Sequence, residues 1–347
     1  LLQTGQGSPT GIVVYEGSVL PSIFRNQVIH CDAGPNVTRA YPAKTEGAGY
    51  SAKMINILKG SRDKWFRPSD VCVAPDGSLL VADWYDPGVG GHAMGDLKRG
   101  RIFRVAVPGS KHSVPKADFS TPDGAATALT SPNGATRYLA WMALHKMGDK
   151  AVSALQKIWK SENPRHRARA LWVLGKSAGR GQSSVDLALA DSDPDIRIVG
   201  IRLARQLGLS LPETVAKVVK DKSPAVRREA AIALRFDGSD QANALWTELA
   251  LQHKGSDRWY LEALGIGSDL HADARFAAWL VKVGDQWKSD GGRDIVWRSR
   301  SKAAPEYLVK IIKDKSIKDH DSLRYMRAFD FHRGEEKKKA LESLLDL

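Results

Sequence analysis

Carboxylates, one histidine and several glycines come together in residues 83–96 of this 347-residue chain. Asp83 and Asp86 flank an aromatic pair, and His92 follows among glycines that allow close approach of the backbone. Calcium prefers oxygen ligands, and a histidine can act as a general base. The pattern therefore predicts Asp83 and Asp86 as metal ligands and His92 as a catalytic base. The alternatives are a plain surface loop and a contact with a neighbouring domain.

Short apolar strands must position these residues. Pro75-Asp76-Gly77 is typical of a tight turn, because proline presets φ and glycine accepts a positive φ. The strands on either side of it, with one more after the loop, predict a β-meander, which is the unit of a propeller blade. Strands are expected over 11–15, 27–32, 36–41, 53–58, 71–74, 79–82 and 102–105. Residues 1–106 therefore contain about two four-stranded units.

The pattern changes after residue 106. Residues 107–126 are rich in Pro, Gly and Ser and are predicted to be a linker. From 127 to 347 apolar residues recur at helical spacing, and two residue types recur every 30 positions, namely Arg137, Arg167, Arg197 and Arg227, with Pro164, Pro194 and Pro224. Units of this kind bury their apolar faces only by stacking, so an α-solenoid is expected. Each arginine is predicted to reach the next repeat or an aspartate, the alternative being a basic concave surface.

The composition narrows the classes of function. The net charge of +13 permits acidic partners, but a solvated basic surface is the favoured interpretation. No apolar run approaches the ~18 residues of a membrane span, and the residues before the first strand are not expected to act as a signal peptide. Cys31 and Cys72 are expected to be core thiols, or to form a disulfide between the strand units. P-loop, dinucleotide-binding and serine-hydrolase motifs are absent.

Several segments of the β part resemble the last two blades of glucose/sorbosone dehydrogenase-type propellers. They are Ser8-Pro9-Thr10-Gly11, Trp65-Phe66-Arg67-Pro68, Pro75-Asp76-Gly77, Asp83-Trp84 and Gly100-Arg101-Ile102-Phe103-Arg104. The order of parts is similar to that of the "membrane-bound dehydrogenase" proteins of planctomycetes and verrucomicrobia. The resemblance implies a multidomain β + α chain. A partial β-propeller of about two blades (1–106) would be followed by an α-solenoid of HEAT-like helical repeats (127–347).

The same resemblance implies pyrroloquinoline quinone (PQQ) and calcium at the mouth of a complete propeller. Arg67 matches a position whose guanidinium holds the carboxylates of the cofactor, since an arginine fork pairs with a carboxylate through two hydrogen bonds. Ser69 and Glu16 stand where the family has a second arginine and a lysine. The structural alternative is that Arg67 pairs with Asp70 or Asp83.

Two main hypotheses of function follow. In the first, the chain is the C-terminal portion of a quinoprotein-type dehydrogenase that oxidises a sugar, alcohol or aldehyde. The solenoid would dock a partner protein or a cytochrome domain, the location would be periplasmic or secreted at the cell envelope, and this chain alone would be inactive. In the second, a non-enzymatic propeller/HEAT scaffold binds proteins or glycans. Nucleic-acid binding ranks last, because the β part gives it no support.

Overall fold

A computed structural model describes Thr4 and residues 7–89 and 98–345, without the side chains of residues 319 and 320. In this part of the chain, nine strands come first and fifteen α-helices follow. The expected order of a β part and a helical part is confirmed. The chain divides into two compact units, the first of residues 1–46 and 50–178 and the second of residues 47–49 and 179–347.

The strands form three sheets. They are β1 (Pro9–Tyr15), β2 (Gln27–Asp32), β3 (Val37–Tyr41), β4 (Ala43–Glu46), β5 (Gly49–Ala52), β6 (Ile55–Lys59), β7 (Pro68–Val73), β8 (Leu79–Asp83) and β9 (Arg101–Val105). The first sheet has the order β1-β2-β3-β6, the second pairs β4 with β5, and the third has the order β7-β8-β9. The seven predicted strands are confirmed. The β4–β5 pair was not predicted, because every side chain of β4 is exposed and the segment shows no apolar alternation.

The four-stranded and three-stranded sheets pack against each other through one apolar core. Its largest buried side chain is Tyr15, whose hydroxyl donates to the Gly77 carbonyl at 2.7 Å and accepts from the Leu20 N–H at 2.8 Å. Gly77 has a φ of +84°, so the predicted turn is confirmed. The described strands form no closed barrel or propeller.

The two cysteines differ in their surroundings. Cys31 is buried in the core between the sheets, as expected. Cys72 is exposed, because its neighbours Val71 and Val73 turn toward the core and strand side chains alternate between faces. Both thiols are free, so the disulfide alternative is wrong, and a core position for Cys72 is wrong as well.

The helices start earlier than expected. They are α1 (Pro122–Leu129), α2 (Gly134–Met147), α3 (Val152–Trp159), α4 (Pro164–Gly175), α5 (Gly181–Leu189), α6 (Pro194–Gln206), α7 (Leu211–Ala216), α8 (Pro224–Ala233), α9 (Asp240–Ala250), α10 (Arg258–Ser268), α11 (Ala272–Val283), α12 (Asp290–Arg298), α13 (Ala304–Ile312), α14 (Asp319–Ala328) and α15 (Glu335–Glu342). Because α1 begins at Pro122, the helical part starts within the segment 107–126 that was predicted to be a linker. No helix in the described residues is both long and apolar enough to cross a membrane.

One turn recurs before α2, α4, α6 and α8. Two positions before each helix-capping residue, a Ser or Asp oxygen accepts a hydrogen bond from the N–H of that capping residue. These side chains belong to Ser131, Ser161, Asp191 and Asp221. Helices α4, α6 and α8 each have the predicted proline in the first turn. An N–H at that position would have no partner within the helix, so its absence from proline loses no hydrogen bond. The 30-residue period therefore reflects repeated turn and cap chemistry.

The recurring arginines close the same turns. Arg137 donates from Nη1 to the carbonyls of Ser131 at 2.9 Å and Pro132 at 2.8 Å. The other three arginines likewise donate to carbonyls in the turn before their own helix. These carbonyls follow the end of a helix and lack an intrahelical partner. The predicted contact with the next repeat is present at Arg197, which also pairs with Asp221 at 2.6 Å.

The second unit has its own core, built from α6 and the later helices. Among the large aromatic side chains of residues 256–300, Tyr260 and Trp279 are buried and Trp287 and Trp297 are partly buried. Trp259 is 49 % exposed. Most of these rings therefore pack in the core of the second unit.

Candidate functional site

Arg67 is buried and lies just before β7, where it contacts the ends of two sheets. Its Nε donates to the Asp86 carbonyl at 2.9 Å and its Nη2 to the Pro87 carbonyl at 2.9 Å. Its Nη1 donates to the carbonyls of Ala33 at 3.1 Å and Gly34 at 3.5 Å. The guanidinium therefore ties the loop after β2 to the loop after β8, which is a positioning role.

Asp83 lies at the end of β8 and has both carboxylate oxygens engaged. Its Oδ1 accepts from the backbone N–H groups of Arg67 at 2.8 Å and Tyr85 at 2.9 Å. Its Oδ2 accepts from Nε and Nη2 of Arg101 at 2.9 and 2.6 Å. Arg101 also reaches Asp63 at 2.9 Å. The alternative of an Arg67–Asp83 contact is thus present, but through the Arg67 backbone and not through its guanidinium.

The structure brings Arg67, Asp83 and Asp86 together, and His92 lies outside the described residues. Asp86 is buried, and its Oδ1 accepts from the Gly88 N–H at 2.7 Å. In residues 7–89 and 98–345, no three His, Cys, Asp or Glu side chains form a group that could hold a metal ion. The polar atoms of the Arg67 and Asp83 side chains are directed at protein groups. Cofactor binding and the role of His92 stay predictions.

An aromatic and cationic cluster surrounds this loop, and the sequence pattern did not predict it. The rings of Trp65 and Tyr85 lie 5.6 Å apart between centroids. The guanidinium of Arg101 lies 4.2 Å from the Tyr85 centroid and 5.1 Å from that of Phe103. Cation–π contacts of this kind stabilise a partly desolvated arginine. The cluster holds Arg101 where it can neutralise Asp83.

Glu16, which follows β1, faces cations from two helices of the first unit. Its carboxylate pairs with Nη2 of Arg169 in α4, and Nη1 of Arg137 in α2 lies 3.9 Å away. Burial, and then the neighbouring Arg169, lower the pKa of both Arg137 and His166. Positive charge therefore exceeds negative charge here. In the sequence, Glu16 stands out only as a departure from a family pattern, because its partners are far away along the chain.

Comparisons with known proteins match one segment of the helical part and most of the β part. Residues 123–197 match a family model described as HEAT repeats, so the predicted HEAT-like repeats are confirmed for this segment. Residues 4–107 match a second family model, described as a domain of unknown function, DUF7133. No match was found among curated proteins. Neither family description names a dehydrogenase, so the resemblance to glucose/sorbosone dehydrogenases stays a prediction.

Proposed function

We propose that this chain is a binding scaffold, in which the β part and the HEAT repeats present surfaces to a protein partner. The observation that supports it is the engagement of Arg67 and Asp83, which were predicted to bind cofactor and metal but which bind backbone groups and Arg101. Stacked helical repeats create extended surfaces suited to partner binding.

We further infer that the two packed sheets are neighbouring blades of a propeller. Their outer faces carry Ile12, which is 66 % exposed, and Ile102, which is 74 % exposed. Side chains of this size are stabilised by burial, which a flanking sheet on each side would provide. This interpretation accounts for apolar residues on both faces of each sheet.

A second candidate is the C-terminal portion of a quinoprotein-type dehydrogenase. Two inferences support it, namely that the packed sheets are propeller blades and that several segments resemble those of sugar dehydrogenases. The substrate would then be a sugar, alcohol or aldehyde, and the HEAT repeats would dock a cytochrome domain. A periplasmic or cell-envelope location belongs to the same proposal.

Calorimetric titration of the full chain with PQQ, with and without calcium, tests the scaffold proposal against a dehydrogenase whose cofactor is held by these two sheets themselves. The scaffold proposal expects no heat of binding under either condition. Calcium-dependent PQQ binding that is lost in Arg67→Met, but kept in the exposed control Arg62→Met, would overturn it and favour the dehydrogenase.

A further inference from the structure

An open groove of about 360 Å³ lies between α2 and α4 in the first unit. Both helices belong to the segment that matches HEAT repeats. The walls of the groove combine aromatic rings with cations, namely Arg137, Tyr138, Trp141, Arg169, Trp172 and Lys176. None of the residues predicted to bind metal or cofactor lines this groove, so it is separate from the site described above.

The aromatic residues of α2 form a stack. Trp141 packs against the His145 ring one turn later, with centroids 5.3 Å apart and planes 2° from parallel. Tyr138, one turn earlier, stacks on the same indole at 6.5 Å and is 61 % exposed. The Nζ of Lys176 lies 5.7 Å from the Trp141 centroid. The stack fixes the rings in place before a ligand arrives, which lowers the entropy cost of binding.

The charge of the groove is positive. Arg137, Arg169 and Lys176 line the groove. Both arginines contact the carboxylate of Glu16. The Nη1 of Arg169 is buried and makes no hydrogen bond with the described residues. Because this nitrogen is closed off from solvent, Arg169 attracts a carboxylate in the groove through its charge and not through a hydrogen bond from Nη1.

We propose that this groove binds an acidic peptide segment, with carboxylates on Arg169 and Lys176 and an apolar side chain against Trp172. The proposal rests on the scaffold function and names the chemistry of its partner. A peptide is favoured over a neutral glycan because the cations that line the groove attract carboxylates, which a neutral sugar ring lacks. Ring edges and cations instead suit carboxylates with interspersed apolar side chains.

Fluorescence anisotropy with the full chain tests the proposal. One short labelled peptide contains Glu with interspersed Leu, and in the matched peptide every Glu is replaced by Gln. We expect the Glu peptide to bind at least about tenfold more tightly than the Gln peptide, because charge complementarity is lost. We expect its affinity to fall between about 0.05 M and 0.3 M salt, since exposed charges are screened.

Two variants locate the binding site. Lys176→Glu is expected to weaken the Glu peptide about tenfold, and Tyr138→Ala several-fold, because both side chains are exposed in the groove. Lys160→Glu, an equal charge change at the end of α3, is the control and should leave binding unchanged. Lys176→Gln keeps the test valid should Tyr138→Ala disturb the fold.

Several outcomes would overturn the proposal. They are no binding of the Glu peptide, equal loss in Lys160→Glu, and binding of a heparin oligosaccharide in place of the peptide. Absence of Glu-peptide binding, or an equal loss in Lys160→Glu, would overturn the peptide site but not the scaffold function. Calcium-dependent PQQ binding would overturn the scaffold function whatever the peptide result.

Discussion

Replacing Arg67 by Met is expected to destabilise the first unit by about 3–5 kcal/mol. The substitution removes hydrogen bonds of 2.9, 2.9 and 3.1 Å to backbone carbonyls, and a weaker one of 3.5 Å. A hydrogen bond from a charged donor contributes about 1.5–3 kcal/mol, but bonds to a common group are not additive. Arg67 is only 8 % exposed, so water cannot fully supply the hydrogen bonds that the carbonyls lose.

Urea denaturation of Arg67→Met and of the exposed control Arg62→Met measures this loss. Hydrogen exchange detected by mass spectrometry assigns it to a segment, and we expect faster exchange around Ala33 and around Asp86. A loss below about 1 kcal/mol, equal to that of the control, would refute the positioning role. Arg67 would then be free to serve the cofactor role that its family position implies.

Three further predictions concern other buried groups. Arg275 is fully buried and donates to the carbonyls of Leu234 at 2.8 Å and Asp237 at 2.6 Å. Arg275→Met should therefore lower the free energy of unfolding in urea by about 3–5 kcal/mol, whereas Lys282→Met, at an exposed position of the same helix, should not. Burial lowers the pKa of His332 to about 4, so stability is full above about pH 6.5 and should fall by about 1–2 kcal/mol by pH 5, a loss that His332→Gln should not show. Burial raises the pKa of Cys31 to about 11 whereas Cys72 is exposed, so iodoacetamide should label Cys72 first in the native protein, and equal rates by mass spectrometry would contradict the strand assignment.

Local chemistry explains why the strands and repeats were predictable. The turn at Gly77, the prolines at the helix starts and the capping Asp193 each act within a few residues of the chain. The pair β4–β5 was not predicted because most of its side chains are exposed and lack an apolar pattern. The exposure of Cys72 was not predicted because apolar residues flank it along the chain, whereas the alternation of the strand turns only Val71 and Val73 toward the core.

The candidate site was less predictable. The sequence placed Arg67, Asp83 and Asp86 in one neighbourhood, because a short meander brings their segments together. It did not reveal that Arg67 binds carbonyls, because every residue has a carbonyl and no residue type identifies the acceptor. The pairing of Glu16 with Arg169 spans 153 positions, and only packing of the chain brings these two together.

The sequence by itself thus determined the order of a β part and a helical part, the 30-residue repeat and the surplus of positive charge. These properties depend on residue type and on spacing along the chain. The tertiary structure decided what the polar groups in residues 83–89 do, since Arg67 and Asp83 are engaged by protein groups from distant segments. It also brought the stacked aromatic rings of α2 and an arginine from each of α2 and α4 to one groove, because helices of successive repeats pack side by side.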